Sequence, residues 1–417
     1  MESLNPDVYL YIIDQLHGDK VSLSNATLVS RSWLSPCQAR LFSSLRIYGI
    51  VKEGFPFRPE GYIQFLEKNP EIAGYVQHLE LLNQFLPGLE RLLIPTGPRL
   101  VQEMSLSRCF AIIPKLPRLQ GLVISRAGIG YTAFPLPPQL PSITSLHLHH
   151  LEFTDYAPIS VWEILRPLTN LRTLHMSRVW IPQHSTGQDG SESAFSRPPI
   201  ETLMLPSSWE GGLRGIPESM PLFIGLADRG CLQSTSTLEV GLNYERDNSL
   251  PIYDDVFDRV ASQLNHLTLH ATARGDGNLW PRLNRCDHLR SIVYIMPYEF
   301  KSEFVRKPWD AVMDSLDVLP LNPNLSSITI ETSFSSFPFY MPSLGTSVDW
   351  DRFASIVGTC GAKILLRFID VAGRHRYSVS RPEWVHDLLI SRLAGLFERG
   401  ILRDEWTVAK RSATTPR

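Results

Sequence analysis

The residues here that come nearest to chemistry are histidines: His147, His149 and His150 lie within four positions of one another. Alternate residues of an extended chain share a face, so His147 and His149 would offer their imidazoles side by side, as in a zinc-type site. Such a site takes three or four ligands with supporting partners, and no neighbouring cysteine or carboxylate is assured by the sequence. A solvated strand face with no bound metal is therefore the reading adopted, and no cofactor is expected. Other catalytic patterns are missing. There is no G-x-S-x-G, no phosphate loop ending in G-K-[ST], no H-E-x-x-H and no G-x-G-x-x-G. The run Gly211-Gly212-Leu213-Arg214-Gly215 reads as a turn. With no constellation behind an activity, the chain is read as a non-enzyme.

The elements that carry these histidines are written in an apolar cassette. Ile143, Leu146 and Leu148 show its spacing of +3 and then +2, which recurs as Val76/Leu79/Leu81, Leu119/Leu122/Ile124, Leu171/Leu174/Met176 and Ile200/Leu203/Leu205. It returns as Leu264/Leu267/Leu269, Leu289/Ile292/Tyr294 and Leu325/Ile328/Ile330, with a weaker copy at Leu238/Val240. The last two positions of each copy face one way in a strand, and the residue between them faces the other. Between cassettes run helical stripes such as Val256, Phe257, Val260, Ala261 and Leu264, or Trp309, Val312, Met313 and Leu316. One strand and one connector cannot bury an apolar face alone, so such units must stack. The predicted fold class is α/β, a solenoid with a curved parallel sheet and outer helices.

The cassettes resemble leucine-rich repeats over roughly residues 76 to 370, in an irregular form. Second positions at 79, 122, 146, 174, 203, 238, 267, 292 and 328 put several steps in or near the 20–29 residues of that family and others well above it. Regular members place Asn or Cys shortly after the strand; here Ala127, Leu151 and Val179 stand there, and the apolar rhythm continues in Leu148/Leu151/Phe153 and Met176/Val179/Ile181. Uneven repeats and variable loops are expected.

Residues 1–48 read differently. Asn5, Pro6 and Asp7 suit a helix start, and Val8, Ile12, Ile13 and Leu16 share a face of that helix. A second helix carries Leu23, Ala26 and Val29 toward Trp33, and a third opens at Ser35-Pro36. The residues Leu4-Asn5-Pro6-Asp7-Val8, Ile12-Ile13, Leu16 and Ala26-Thr27-Leu28-Val29-Ser30-Arg31-Ser32-Trp33 resemble an F-box of the kind common in fungal proteins. Asn5 and Ala26 depart from its usual proline and cysteine. The resemblance implies a three-helix box that docks on the Skp adaptor of a cullin-based ubiquitin ligase through Leu4, Pro6, Val8, Ile12, Ile13, Leu16, Leu28, Val29 and Trp33. It also implies that the following repeats hold a protein substrate. The alternative is a repeat scaffold with no ubiquitin role, whose first helices only cap the array.

The rest of the chain divides into a connector over 49–75, repeats over 76–371, a capping-helix region over 372–409 and a loose tail over 410–417. A helix is expected from Leu100 to Ile113, and Ser/Gly/Pro-rich insertions are read at 183–199 and 333–347. Near the end, Ser380 and Glu383 have capping-box spacing before a stripe at Val385, Leu388, Leu389, Leu396 and Phe397, expected to cover the open sheet edge.

Of the 417 residues, 43% are hydrophobic and 20% charged, and the net charge is −2, which fits a folded chain and draws it neither to nucleic acid nor to an anionic membrane. Five scattered cysteines without a C-x-x-C pair fit a reducing compartment. With no long apolar run and no signal-like start, a cytoplasmic or nuclear location is expected. Recognition is assigned to the polar positions beside the core leucines: His78, Glu80, Ser145, His147, His149, Thr173, His175, Ser177, His266, Thr268 and His270. They would line the concave face and meet a protein or peptide, with some pH sensitivity from imidazole, or they would simply keep that face soluble.

Overall fold

The computed structural model describes residues 6–16, 18–50, 60–84, 111–125, 128–129, 139–153, 164–180, 197–205, 219–241, 257–270, 283–296, 302–319, 324–334, 348–370 and 383–408. Leu4, Asn5 and Cys109, the body of the expected helix at 100–113, the turn at 211–215, most of the two insertions, the start of the capping box and the tail lie outside them. The chain forms two compact units, Met1–Pro198 and Pro199–Arg417.

The first unit opens with α1 (Pro6–Gln15), α2 (Lys20–Ala26) and α3 (Arg31–Leu41). Ile13, Leu23, Ala26 and Cys37 form their shared core, with Tyr9, Leu16, Trp33 and Leu41 packed around it. The strands β1 (Ser44–Ile50), β2 (His78–Gln84), β3 (Gly121–Ser125), β5 (Ser145–Phe153) and β6 (Thr173–Trp180) follow, all parallel and paired in that order, and the short β4 (Gly128–Ile129) pairs with the end of β5. Two helices, α4 (Glu60–Lys68) and α5 (Pro70–Tyr75), lie between β1 and β2 in the chain.

The second unit repeats the scheme: β7 (Thr202–Leu205), α6 (Ser219–Asp228), β8 (Thr237–Gly241), β9 (His266–His270), β10 (Ser291–Met296), α7 (Ser302–Val318), β11 (Ser327–Phe334), α8 (Trp350–Cys360), β12 (Lys363–Asp370), α9 (Glu383–Glu398) and β13 (Leu402–Val408). Its strands pair in sequence order, all parallel.

The cassette explains this register. Leu79, Leu122, Leu146 and Leu174 are successive register partners, as are Leu81, Ile124, Leu148 and Met176, and every one is buried. The leading residues Val76, Leu119, Ile143, Leu171, Ile200, Leu264, Leu289 and Leu325 are buried too. In the weaker copy the leading place holds Thr235, fully buried, whose hydroxyl donates to the Ile200 carbonyl at 2.8 Å. That bond offsets the cost of placing a hydroxyl in the core. Leu151 and Val179, register partners three residues beyond Leu148 and Met176, are also buried, so β5 and β6 extend their apolar side in step.

Just before β1, β2, β3, β5 and β7–β10, one carbonyl sets the phase of the next strand. Ser43 O accepts from the amides of Gln77 and His78, Gln77 O from Gln120 and Gly121, Gln120 O from Thr144 and Ser145, and Thr144 O from Arg172 and Thr173. Glu201, Ser236, Asn265 and Arg290 do the same in the second unit. The connector amides are thereby satisfied.

Two strands differ from expectation. β1 lies where a box and a connector were read, and β13 follows the C-terminal helix and pairs with β12. The sheet edge is therefore a strand, and α9 does not end the array. The core row Leu203–Leu238–Leu267–Ile292–Ile328–Ile364 continues to Leu402, but the next row ends at Asp404 beside Leu366. His386 of α9 faces that carboxylate at 3.4 Å. Among the described residues no helix is long and apolar enough to cross a membrane.

Candidate functional site

On the polar side of the first unit the register aligns Arg46, Glu80, Val123, His147 and His175 in one row, and Ser125, His149 and Ser177 in the next. Strands about 4.8 Å apart put row neighbours in contact. Two imidazoles from β5 and one from β6 consequently meet. Ring centroids are 5.3 Å apart for His147 and His175, 4.7 Å for His149 and His175, and 6.0 Å for His147 and His149. One ligand nitrogen of each of the three lies within 4.8 Å of the others. His147 and His149 share one side of β5, as alternation along a strand requires. The third member is His175, from the neighbouring strand.

Serines hold the rings. His149 Nδ1 and Ser177 Oγ are 2.5 Å apart, and His147 Nε2 and Ser145 Oγ are 3.0 Å apart. Each contact engages one ring nitrogen. All three histidines are half-buried. Burial, and then the charge of nearby His78, pushes His147 below the ordinary imidazole range. Burial also lowers His149, with His147 adding to the shift and Glu80 opposing it. Both rings are held toward the neutral form, so the expected pH sensitivity moves to more acid conditions.

The other expected residues group around this cluster or lie apart from it. Glu80 takes an ion pair from Arg46 at 2.5 Å. His78 lies over Gly121, where a side-chain carbon would come within 2.4 Å of its ring. Thr173 stands beside Ser145, two positions before His175 and His147 on their strands. His266, Thr268 and His270 belong to the second unit. There His266 Nδ1 meets Ser291 Oγ at 2.7 Å, and His270 Nε2 meets Glu239 Oε1 at 2.7 Å. Sequence reasoning missed the row Glu331–Arg367–Glu405, in which Arg367 bridges two carboxylates at 3.4 and 3.2 Å.

The N-terminal helices offer a second surface. Val8, Leu10, Tyr11 and Ile12 of α1 and Leu28 and Val29 after α2 are exposed, Leu28 by 83%. Ile13 is only 1% exposed and belongs to the core. Leu16 and Trp33 pack against that core as well, so these three hold the bundle. Leu4 lies outside the described residues, and of Pro6 only its place at the start of α1 is described.

One parallel strand per repeat, a buried leucine ladder within and a polar row without define a leucine-rich-repeat solenoid. The class rests on the chain's own strand order and register. No family model matches the sequence and no curated protein matches it. Among solved structures, the leucine-rich repeat-containing protein LegL7 from Legionella pneumophila is similar with a TM-score of 0.39 and 15% identity, over 84% of this chain and 98% of that one.

Proposed function

We propose that this protein is the substrate-receptor subunit of an SCF-type ubiquitin ligase, whose N-terminal helices dock on the Skp adaptor carried by the cullin and whose repeats hold a protein target. The observation that carries the reading is the exposed apolar face of the small bundle. Its core is already filled by Ile13, Leu23, Ala26 and Cys37, yet Val8, Ile12, Leu28 and Val29 remain in water. Exposed apolar side chains so close in sequence to a filled core suit a contact surface. The repeats contribute a polar, histidine-bearing face of the sort that meets folded proteins or peptides, and the mechanism is positioning a target for a separate enzyme.

A scaffold without ubiquitin chemistry is the second reading, favoured by how the bundle joins the sheet. β1 follows α3 directly, the Ser43 carbonyl holds the amides of Gln77 and His78, and Ser35 Oγ lies 3.2 Å from Tyr75 Oη of α5. The helices thus sit at the first strand as a cap would.

Size-exclusion chromatography of the full chain with purified Skp adaptor separates the two. A stable complex is expected, and Val8→Glu, Ile12→Glu and Leu28→Glu together should weaken it by roughly 30-fold or more while circular dichroism stays unchanged. No complex with the unmodified chain would leave the scaffold reading alone.

A further inference from the structure

We propose that His147, His149 and His175 form a binding site for a divalent transition metal of the zinc, copper and nickel class. The inference goes beyond the docking role and stands without it. Three imidazole nitrogens already lie within 4.8 Å of one another. Metal–nitrogen bonds of about 2.05 Å in a tetrahedral site place ligand atoms about 3.3 Å apart, so closure asks for small ring rotations and no backbone movement. The backbone is fixed by what lies beneath: Leu146, Leu148, Leu174 and Met176 alternate with the three histidines and are buried. Rigid strands hold a ligand set better than loops do.

The surroundings suit a metal as well. Ser177 lies within hydrogen-bond distance of His149 and Ser145 within that of His147, each on a single ring nitrogen. Partners of this type fix ring orientation and tautomer in histidine metal sites. An all-nitrogen set matches zinc, copper and nickel and discriminates against magnesium and calcium, which take oxygen. Three protein ligands leave a fourth position for water or for a donor group on a bound partner.

The test uses the full chain stripped with a chelator and titrated with zinc in a calorimeter. One zinc per chain is expected, with a dissociation constant below about 10 μM. His147→Gln and His175→Gln should each weaken it by at least about tenfold, whereas His266→Gln in the second unit should not. Magnesium should not compete. The electron paramagnetic resonance spectrum of the unsubstituted chain with one equivalent of copper should show coupling to several imidazole nitrogens, a readout that needs no variant. The proposal is overturned if zinc does not bind, if the two variants bind it like the parent, if magnesium displaces it, or if the copper spectrum lacks nitrogen coupling.

Discussion

Leu146 and His147 are chain neighbours with opposite duties, one buried in the ladder and the other in the polar row. The cassette made the first legible, because Leu146 and Leu174 hold the same place in successive copies. It held the key to the second as well: aligned on those leucines, His147 and His175 coincide. Reading along the chain hid this, since His150 is the nearer residue in sequence and His175 comes from the next strand. Asp19 shows what a single side chain does for the small bundle. Its carboxylate accepts from Ser22 Oγ at 2.6 Å and from the amides of Val21 and Ser22 at 3.0 Å, capping α2. The Ser22 hydroxyl first, and then the backbone amides, holds its pKa below the ordinary 3.8. A carboxylate lowered in the folded state contributes stability above its unfolded value and loses it as the pH falls through the folded one. Thermal melts of the helices should therefore weaken below about pH 4, and Asp19→Asn should make that decline shallower. An unchanged acid profile in the variant would show that the cap does not carry it.

Among the elements, the strands carrying the full cassette were legible and the two terminal ones were not. β13 escaped because its second inward place holds Asp404 instead of a hydrophobic residue, and β1 because its run begins where the helical motif ends. Helix stripes read well. Trp309, Val312, Met313 and Leu316 of α7 are all buried as their spacing requires. What spacing could not show is how α7 and β10 meet. Tyr294 occupies a core place in β10, its hydroxyl lies 2.8 Å from Ser315 Oγ of α7, and burial holds its phenol far above the usual range. Ser315→Ala should lower stability by about 1 kcal/mol in denaturant titrations, the usual worth of such a bond. If Ser315→Ala and Tyr294→Phe are each as stable as the parent, the hydroxyl pair adds nothing to this contact.

Across the molecule, the alternation of leucine ladder and polar row was visible in the sequence, whereas the variable steps between strands gave no reason for their tolerance. The doubly accepting carbonyls supply one. Gln120 O fixes Thr144 and Ser145 wherever the preceding segment has travelled, and Thr144 O fixes Arg172 and Thr173 likewise. Each turn thus restores the reading frame of the leucines, and an error in length is not passed on to the next strand. Two residues inserted between Pro117 and Arg118, in the exposed turn before β3, should cost only about 1 kcal/mol, because loop closure depends only weakly on length. A single alanine inserted between Ser145 and Leu146 falls after the reset, turns the following side chains to the opposite face and should unfold the first unit in a thermal melt. Equal effects of the two insertions would mean that the frame is kept elsewhere. The fold behaves as a text punctuated at every line, in which long and short lines can follow one another without losing the sense.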